Sequence, residues 1–146
     1  MWSPLLYQTK MSRGLRNNNP GNIRRSAVHY QGEKISSDAS FKQFTTIAYG
    51  YRALFMLLAH YIIQDRRNTI EKIMETYAPE SENNTDGYIA TVAKQSGVKR
   101  DEVLTDKSGI KLIKIVGAMS KVENIVPAIM TDIEAGFAMQ NQITKK

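Results

Sequence analysis

The side chains able to do chemistry in this chain narrow quickly to carboxylates. There is no cysteine, which removes disulfides, thiolate metal sites and cysteine nucleophiles together. The two histidines, His29 and His60, lie far apart with no metal-ligand spacing around either. His60 falls in an apolar run and reads as a core or rim histidine. No Ser-His-Asp order, phosphate loop or His-Glu-x-x-His helix is present, and Gly14 and Gly21 do not form a dinucleotide fingerprint. What remains as catalytic currency is the carboxylate, and glycoside hydrolysis is one chemistry that needs carboxylates and little else. One protonated carboxyl gives its proton to the leaving oxygen, while a second group, or the substrate itself, deals with the developing cation or the water. The acids to weigh are Glu33, Asp38, Glu82, Asp86, Glu123 and Glu134. By spacing alone each reads as a solvated acid or a helix cap as readily as a catalyst.

The chain that must position them has 146 residues, the size of one compact domain. Hydrophobic residues make up 42% and charged residues 23%, which argues against a disordered, collagen-like or membrane-spanning chain. The longest apolar run, Ala53 to Ile63, is interrupted by His60 and is too short for a membrane span. Met1 to Tyr7 is too short for the apolar region of a signal peptide. The net charge is +6. Between Lys10 and Lys34, six basic residues (Lys10, Arg13, Arg16, Arg24, Arg25 and Lys34) face one acid, Glu33, so this window carries nearly all of the excess. A polyanionic partner is one reading of this excess, and a solvated basic face is the commoner alternative. Nucleic acid ranks low, because the window lacks interleaved aromatics and a recognition helix.

Residues 1–12 read as a loose N-terminal arm, and residues 13–146 as a single domain. Asn17-Asn18-Asn19-Pro20-Gly21-Asn22 is dense turn chemistry. After it, Ile23, Val28, Tyr30, Ile35, Phe41 and Phe44 alternate loosely with polar residues, with Gln31-Gly32 as hairpin turn, and predict a small β unit. From Thr46 the period becomes helical, with Ile47, Tyr51, Leu54, Leu58, Tyr61 and Ile62 at spacings of three and four. This helix, capped by Thr45 or Thr46, should run to about Gln64 and be the central buried one. A second starts at Asn68 or Thr69 and stops before Pro79. A third is capped by Asn84, Thr85 or Asp86 and stopped by Gly97. Lys99 to Leu104 reads as a helical turn. Ser108 caps a fourth helix, and Pro127 opens a fifth. The expected class is α+β, mostly α, with about five helices and one β-hairpin unit.

Arg13-Gly14-Leu15-Arg16-Asn17-Asn18-Asn19-Pro20-Gly21-Asn22-Ile23-Arg24 resembles the opening of small virion-associated proteins of phages and prophages that look like members of the lysozyme superfamily. The resemblance continues through Gly32, Asp38, Phe41, Phe44, Gly50-Tyr51-Arg52-Ala53, Ala78-Pro79, Glu82 to Thr85 and Tyr88. It covers residues 13–98 well and the rest weakly. The same stretch is similar to flagellar-type and autolysin-type glucosaminidases. In those, a helix ending in Glu-Ser-Gly precedes an Asn-rich turn, and a hairpin with an aromatic pair follows. Here residues 1–12 contain no acid. The apolar stretch Leu112 to Val122, ending in Glu123-Asn124, resembles the missing helix. The resemblance thus implies a circularly permuted lysozyme-like fold in which the acid-bearing helix has moved to the C-terminal end and packs beside the Asn17–Arg24 turn. Ile125 stands where relatives carry glycine.

On that resemblance, Glu123 is the general acid, at a helix end facing a cleft, where desolvation favours the protonated form of a carboxyl. Glu33 or Asp38, from the β unit, would position water or stabilise the oxocarbenium-like state. Asn18, Asn19, Arg24, Glu82, Thr85 and Tyr88 would line the substrate groove, with helix capping the alternative for Glu82 and Thr85 and core packing for Tyr88. Arg16, Arg24 and Arg25 would meet the lactyl and peptide carboxylates of peptidoglycan. The implied activity is that of a peptidoglycan glycan-strand hydrolase (muramidase or glucosaminidase) or lytic transglycosylase, with no metal and no cofactor. The implied location is the virion or the host cytoplasm, with action at the cell wall. The alternative is a non-catalytic virion structural or wall-binding protein on the same fold.

Overall fold

The computed structural model describes residues 11–81 and 83–144, with side chains as far as Gln140. Its elements, in chain order, are α1 (Arg13–Arg16), β1 (Glu33–Lys34), β2 (Gln43–Phe44), α2 (Ile47–Ile63), α3 (Ile70–Tyr77), α4 (Thr85–Ser96), α5 (Gly109–Asn124) and α6 (Met130–Thr144). The class is α+β and mostly α, as the periodicity predicts. No helix among the described residues is long and apolar enough to cross a membrane.

The central helix forms where the sequence predicts it. The Thr46 hydroxyl accepts the Tyr49 N–H, capping α2, and Tyr51, Leu54, Phe55 and Leu58 are buried along it. Helix α6 packs along α2, and α5 packs against α4. A buried hydrogen bond between the Tyr51 hydroxyl and Ser120 Oγ, 2.9 Å long, ties α2 to α5. Ile70, Ile73 and Met74 of α3, Val92 of α4 and Ile115, Val116 and Met119 of α5 complete the core. Thr69 caps α3, and the Asn84 amide oxygen caps α4 by accepting the Gly87 N–H. Gly97 ends α4 with φ of 73°.

Five details differ from the sequence reading. Ser12 is part of the domain, because its hydroxyl accepts the Leu15 N–H and caps α1. That short helix escapes a periodicity search because four residues carry no period. The remainder of the expected arm, residues 1–10, lies outside the described residues. Gln31-Gly32 is a turn leading into β1, closed by Glu33 N–H donating to the Tyr30 carbonyl. The connection between the antiparallel strands is the longer Ile35–Lys42 segment, with Glu33 opposite Phe44 and Lys34 opposite Gln43. Lys99 to Leu104 makes one hydrogen-bonded turn and then an extended stretch, held by Leu104 N–H to the Asn68 carbonyl at 2.7 Å. The Ser108 hydroxyl caps no helical N–H and accepts the Thr105 N–H instead. The last helix begins at Met130, so Pro127 precedes it.

The Asn17–Asn22 turn rests on α2 at Gly50, where a Cβ would overlap the Asn18 carbonyl oxygen and lie 2.7 Å from Pro20 Cδ. Neither neighbour can move without breaking the turn. Gly50→Ala should therefore cost about 1–3 kcal/mol, the usual range for overpacking. Urea denaturation checks this, and an unchanged midpoint would show that the turn yields freely.

Candidate active site

The turn inside the longest motif is built almost entirely from asparagine amides. Asn18 and Asn22 have φ of 53° and 50°, a region that Asn tolerates better than most residues. Asn19, fully buried, acts as a local strand partner. Its Oδ1 accepts the Ile23 N–H at 2.9 Å, and its Nδ2 donates to the carbonyls of Ile23 and Lys42 at 3.0 Å each. The Asn18 amide donates to the Phe44 carbonyl at 3.1 Å. Both residues thus fix the turn to β2 and have their amides committed to the backbone.

The end of α5 docks onto this turn. Asn124, buried, donates from Nδ2 to the Pro20 carbonyl at 2.8 Å and to the Ser120 carbonyl at 2.9 Å. Its Oδ1 accepts the Ser12 hydroxyl at 2.6 Å. Gly14 lets the two segments approach, since a Cβ there would lie 2.5 Å from Asn124 Oδ1. The next residue back, Glu123, is thereby delivered to the turn from across nearly the whole sequence.

Glu123 Oε1 accepts from Asn22 Nδ2 at 2.8 Å, and Oε2 accepts from the Tyr88 hydroxyl at 2.7 Å. Burial pushes the Tyr88 phenol well above its ordinary pKa, so it stays a donor at any working pH. The carboxylate borders two hollows. One, of about 400 Å³, is walled by Tyr30, Phe41, Tyr61, Tyr77 and Arg24. The other, of about 410 Å³, is lined by Asn84, Tyr88, Thr91 and Val122. Asn83 and Glu123 line both. A chain-like ligand laid across the two would place one of its links at Glu123. The Tyr77 hydroxyl is buried with no hydrogen-bond partner among the described residues, and burial pushes its pKa well above the ordinary value. The residue lines the first hollow, but its hydroxyl oxygen is itself closed off from solvent. Asn22 Oδ1 is likewise unpartnered.

The two acids expected opposite Glu123 do not line either hollow. Glu33 is a structural partner of Lys42, whose ammonium lies 3.0–3.1 Å from both its oxygens and is 1% exposed. Burial alone would raise the Glu33 pKa, but the Tyr30 N–H and the Lys42 charge outweigh it and hold the group below its ordinary value. Asp38 takes a two-pronged Arg13 guanidinium at 2.7 Å on each oxygen, the N–H groups of Ser40 and Phe41, and the Asn17 amide. These partners, Arg13 first and the Ser40 N–H next, hold it far below the carboxylate range. A carboxylate so committed organises the β1–β2 connection and offers nothing to a substrate.

Of the groove residues expected from the sequence, Arg24 lines the first hollow, with its guanidinium 5.5 Å from the Phe41 ring centre. Tyr88 belongs to the core at 7% exposure and reaches the site through its hydroxyl, not as a stacking surface. The Thr85 hydroxyl is buried and donates to the Ala78 carbonyl, so it braces the loop before α4. Glu82 lies outside the described residues. Asn22 and Asn124 carry more of the site than the sequence reading assigns them. Asn22 sits inside the motif, but nothing in its spacing says that its amide reaches a residue at the other end of the chain.

Two consequences can be measured. The depressed Asp38 pKa means its stabilising contribution is complete above the unfolded value of about 3.9 and is lost as pH falls below it. Asp38→Asn should lower Tm most near pH 7 and progressively less as pH falls below about 4, with part of the loss still present near pH 2 because the folded carboxylate stays ionised there, flattening the acid limb of the Tm–pH curve. An equal loss at both pH values would rule out the ion pair as its source. Ile125 caps α5 with φ of 62° and is 87% exposed. A β-branched residue is strained in this region and gains almost nothing there from burial. Ile125→Gly should raise stability by about 1 kcal/mol in urea titrations, strain relief exceeding the entropy of the added glycine. A loss of stability would mean that the exposed isoleucine has contacts of its own.

No protein-family model matches the chain. It is similar to Protein P5 of Pseudoalteromonas phage PM2, with 35% identity over 131 residues that cover 86% of this chain and 80% of the phage protein. Those 131 residues are too many for the relationship to rest on the Asn-rich turn alone, and the chain belongs to the family of this phage protein.

Proposed function

We propose that the protein cleaves the glycan strand of peptidoglycan with Glu123 as its general acid, on a circularly permuted lysozyme-like fold. The observation that carries this reading is the position of Glu123. It ends an apolar helix, meets the Asn17–Arg24 turn through Asn22, and borders two hollows with aromatic walls on one side. This is the juxtaposition that a helix moved from one end of the chain to the other would restore. It also suits a polymer, which needs room on both sides of the bond to be broken.

Among the described residues no second carboxylate lines the hollows beside Glu123. Chemistry with one protein acid needs only Glu123. Protonated Glu123 would give its proton to the glycosidic oxygen as the C1–O bond breaks. A nucleophile on the substrate itself, the sugar's own hydroxyl or its acetamido oxygen, would capture C1. With the hydroxyl, its proton returns to the Glu123 carboxylate and the product is an anhydro sugar, as in a lytic transglycosylase. With the acetamido oxygen, water later opens the ring and the result is net hydrolysis. Asn22 and Tyr88 would hold the carboxyl in line.

One observation favours a second reading, a wall-binding or virion structural protein without catalysis. Both oxygens of Glu123 already accept hydrogen bonds from within the protein. The two readings part on purified peptidoglycan, with released muropeptides weighed by mass spectrometry for the wild type and Glu123→Gln. The expected outcome is release by the wild type and a loss of about 10²–10⁴-fold in the variant, the usual worth of a general acid. Products one water lighter than the hydrolytic ones would identify capture by the sugar's own hydroxyl. Equal release by both proteins would remove Glu123 from the chemistry. Binding to peptidoglycan with no release by the wild type would establish the second reading.

A further inference from the structure

A third hollow, of about 310 Å³, lies in the β unit and meets the Glu123 cleft at Ser26, which lines both. Its walls include Arg25, Lys34, His29 and Ile35, with Glu33 and Lys42 also lining it. Glu33 is its one carboxylate and is spent on Lys42 and the Tyr30 N–H. Arg25 donates to the Asp38 backbone carbonyl at 3.1 Å and pairs with no carboxylate among the described residues. Lys34, exposed on β1, has no carboxylate partner there either. His29 Nδ1 lies 3.5 Å from the Glu33 carboxylate, so the hollow presents two uncompensated cations, Arg25 and Lys34, beside an isoleucine that is 97% exposed.

We propose that this hollow is a carboxylate subsite that takes an acidic peptide branch of a glycan strand lying along the Glu123 cleft. The inference rests on the glycan reading above and adds to it what the substrate must carry. An arginine fork and a lysine suit a carboxylate, and Ile35 suits the short aliphatic side chain of a neighbouring residue in the branch. Nucleic acid fits less well, because no Phe, Tyr or Trp among the described residues lines this hollow as a stacking platform for a base. The Ser26 junction lets a branch leave the strand and enter the hollow while the strand stays in the cleft.

The test is sedimentation of the full-length protein with purified sacculi, native or with their peptide carboxyls amidated, beside a titration with duplex DNA. Arg25→Gln/Lys34→Gln is compared with Lys94→Gln/Lys107→Gln, which removes the same charge from exposed positions on other elements. The first pair should weaken binding to native sacculi by about tenfold, the worth of a charged hydrogen bond. The second pair should bind as the wild type does. Amidation should weaken the wild type by a similar factor and add little to the loss already present in Arg25→Gln/Lys34→Gln. The proposal is overturned if the two pairs lose affinity equally, if amidation and mutation losses simply add, or if the wild type prefers DNA to sacculi. Muropeptide release is read on the same samples. A wild type that releases nothing, yet shows the non-additive binding losses, would sink the cleavage reading and leave the subsite standing. A wild type that cleaves, with Arg25→Gln/Lys34→Gln binding and cleaving equally well, would do the reverse.

Discussion

Asn124 is the residue on which the site depends. Its side chain bonds the Pro20 and Ser120 carbonyls and accepts the Ser12 hydroxyl, and in doing so joins the Ser12–Pro20 segment to the end of α5. A buried amide must satisfy both its oxygen and its nitrogen, so only one arrangement of the turn and the helix end serves it. Gly14 permits that arrangement by leaving room beside the amide. Everything said of Glu123 follows from this contact, because the residue before Asn124 has no choice but to face Asn22.

The basic N-terminal window divides into two kinds of charge. Arg13 is consumed by Asp38, in a pair that shapes the β1–β2 connection. Lys42, just beyond the window, is consumed by Glu33 under the same β unit. These pairs explain why the two acids of the β unit are unsuited to catalysis: each is held as a carboxylate by neighbours that it in turn neutralises. Arg24 and Arg25 are positioned differently, at the cleft wall and at the hollow beside it. The local excess of positive charge is thus partly scaffold and partly surface around the groove.

The helices supply rigidity around Glu123. Helix α2 carries Gly50 under the Asn-rich turn and Tyr51 against Ser120, so one helix registers both halves of the site. Helix α4 contributes Tyr88, buried in the core but with its hydroxyl on Glu123. A phenol anchored in this way has little freedom to leave the carboxylate, and it holds one Glu123 oxygen while Asn22 holds the other.

The class, the long helices and their caps were legible in the sequence, because apolar period and capping chemistry act over a few neighbouring residues. Thr46, Thr69, Asn84 and Gly97 act where their types predict. Four-residue α1 and the true span of the β1–β2 connection were not legible, since so short a helix has no period and Ile35–Lys42 is set by Asp38 and its partners. Glu123 could be singled out by type and by its place at a helix end. Glu33 and Asp38 looked equally fit, and type alone could not separate them. What separates a catalytic candidate from a scaffold acid is which donors surround each oxygen, and those donors come from remote parts of the chain: Lys42 for Glu33, Arg13 for Asp38, Asn22 and Tyr88 for Glu123. Local sequence decides backbone conformation because its causes are short-ranged; the environment of a carboxylate is a long-range property, and only the packed fold creates it.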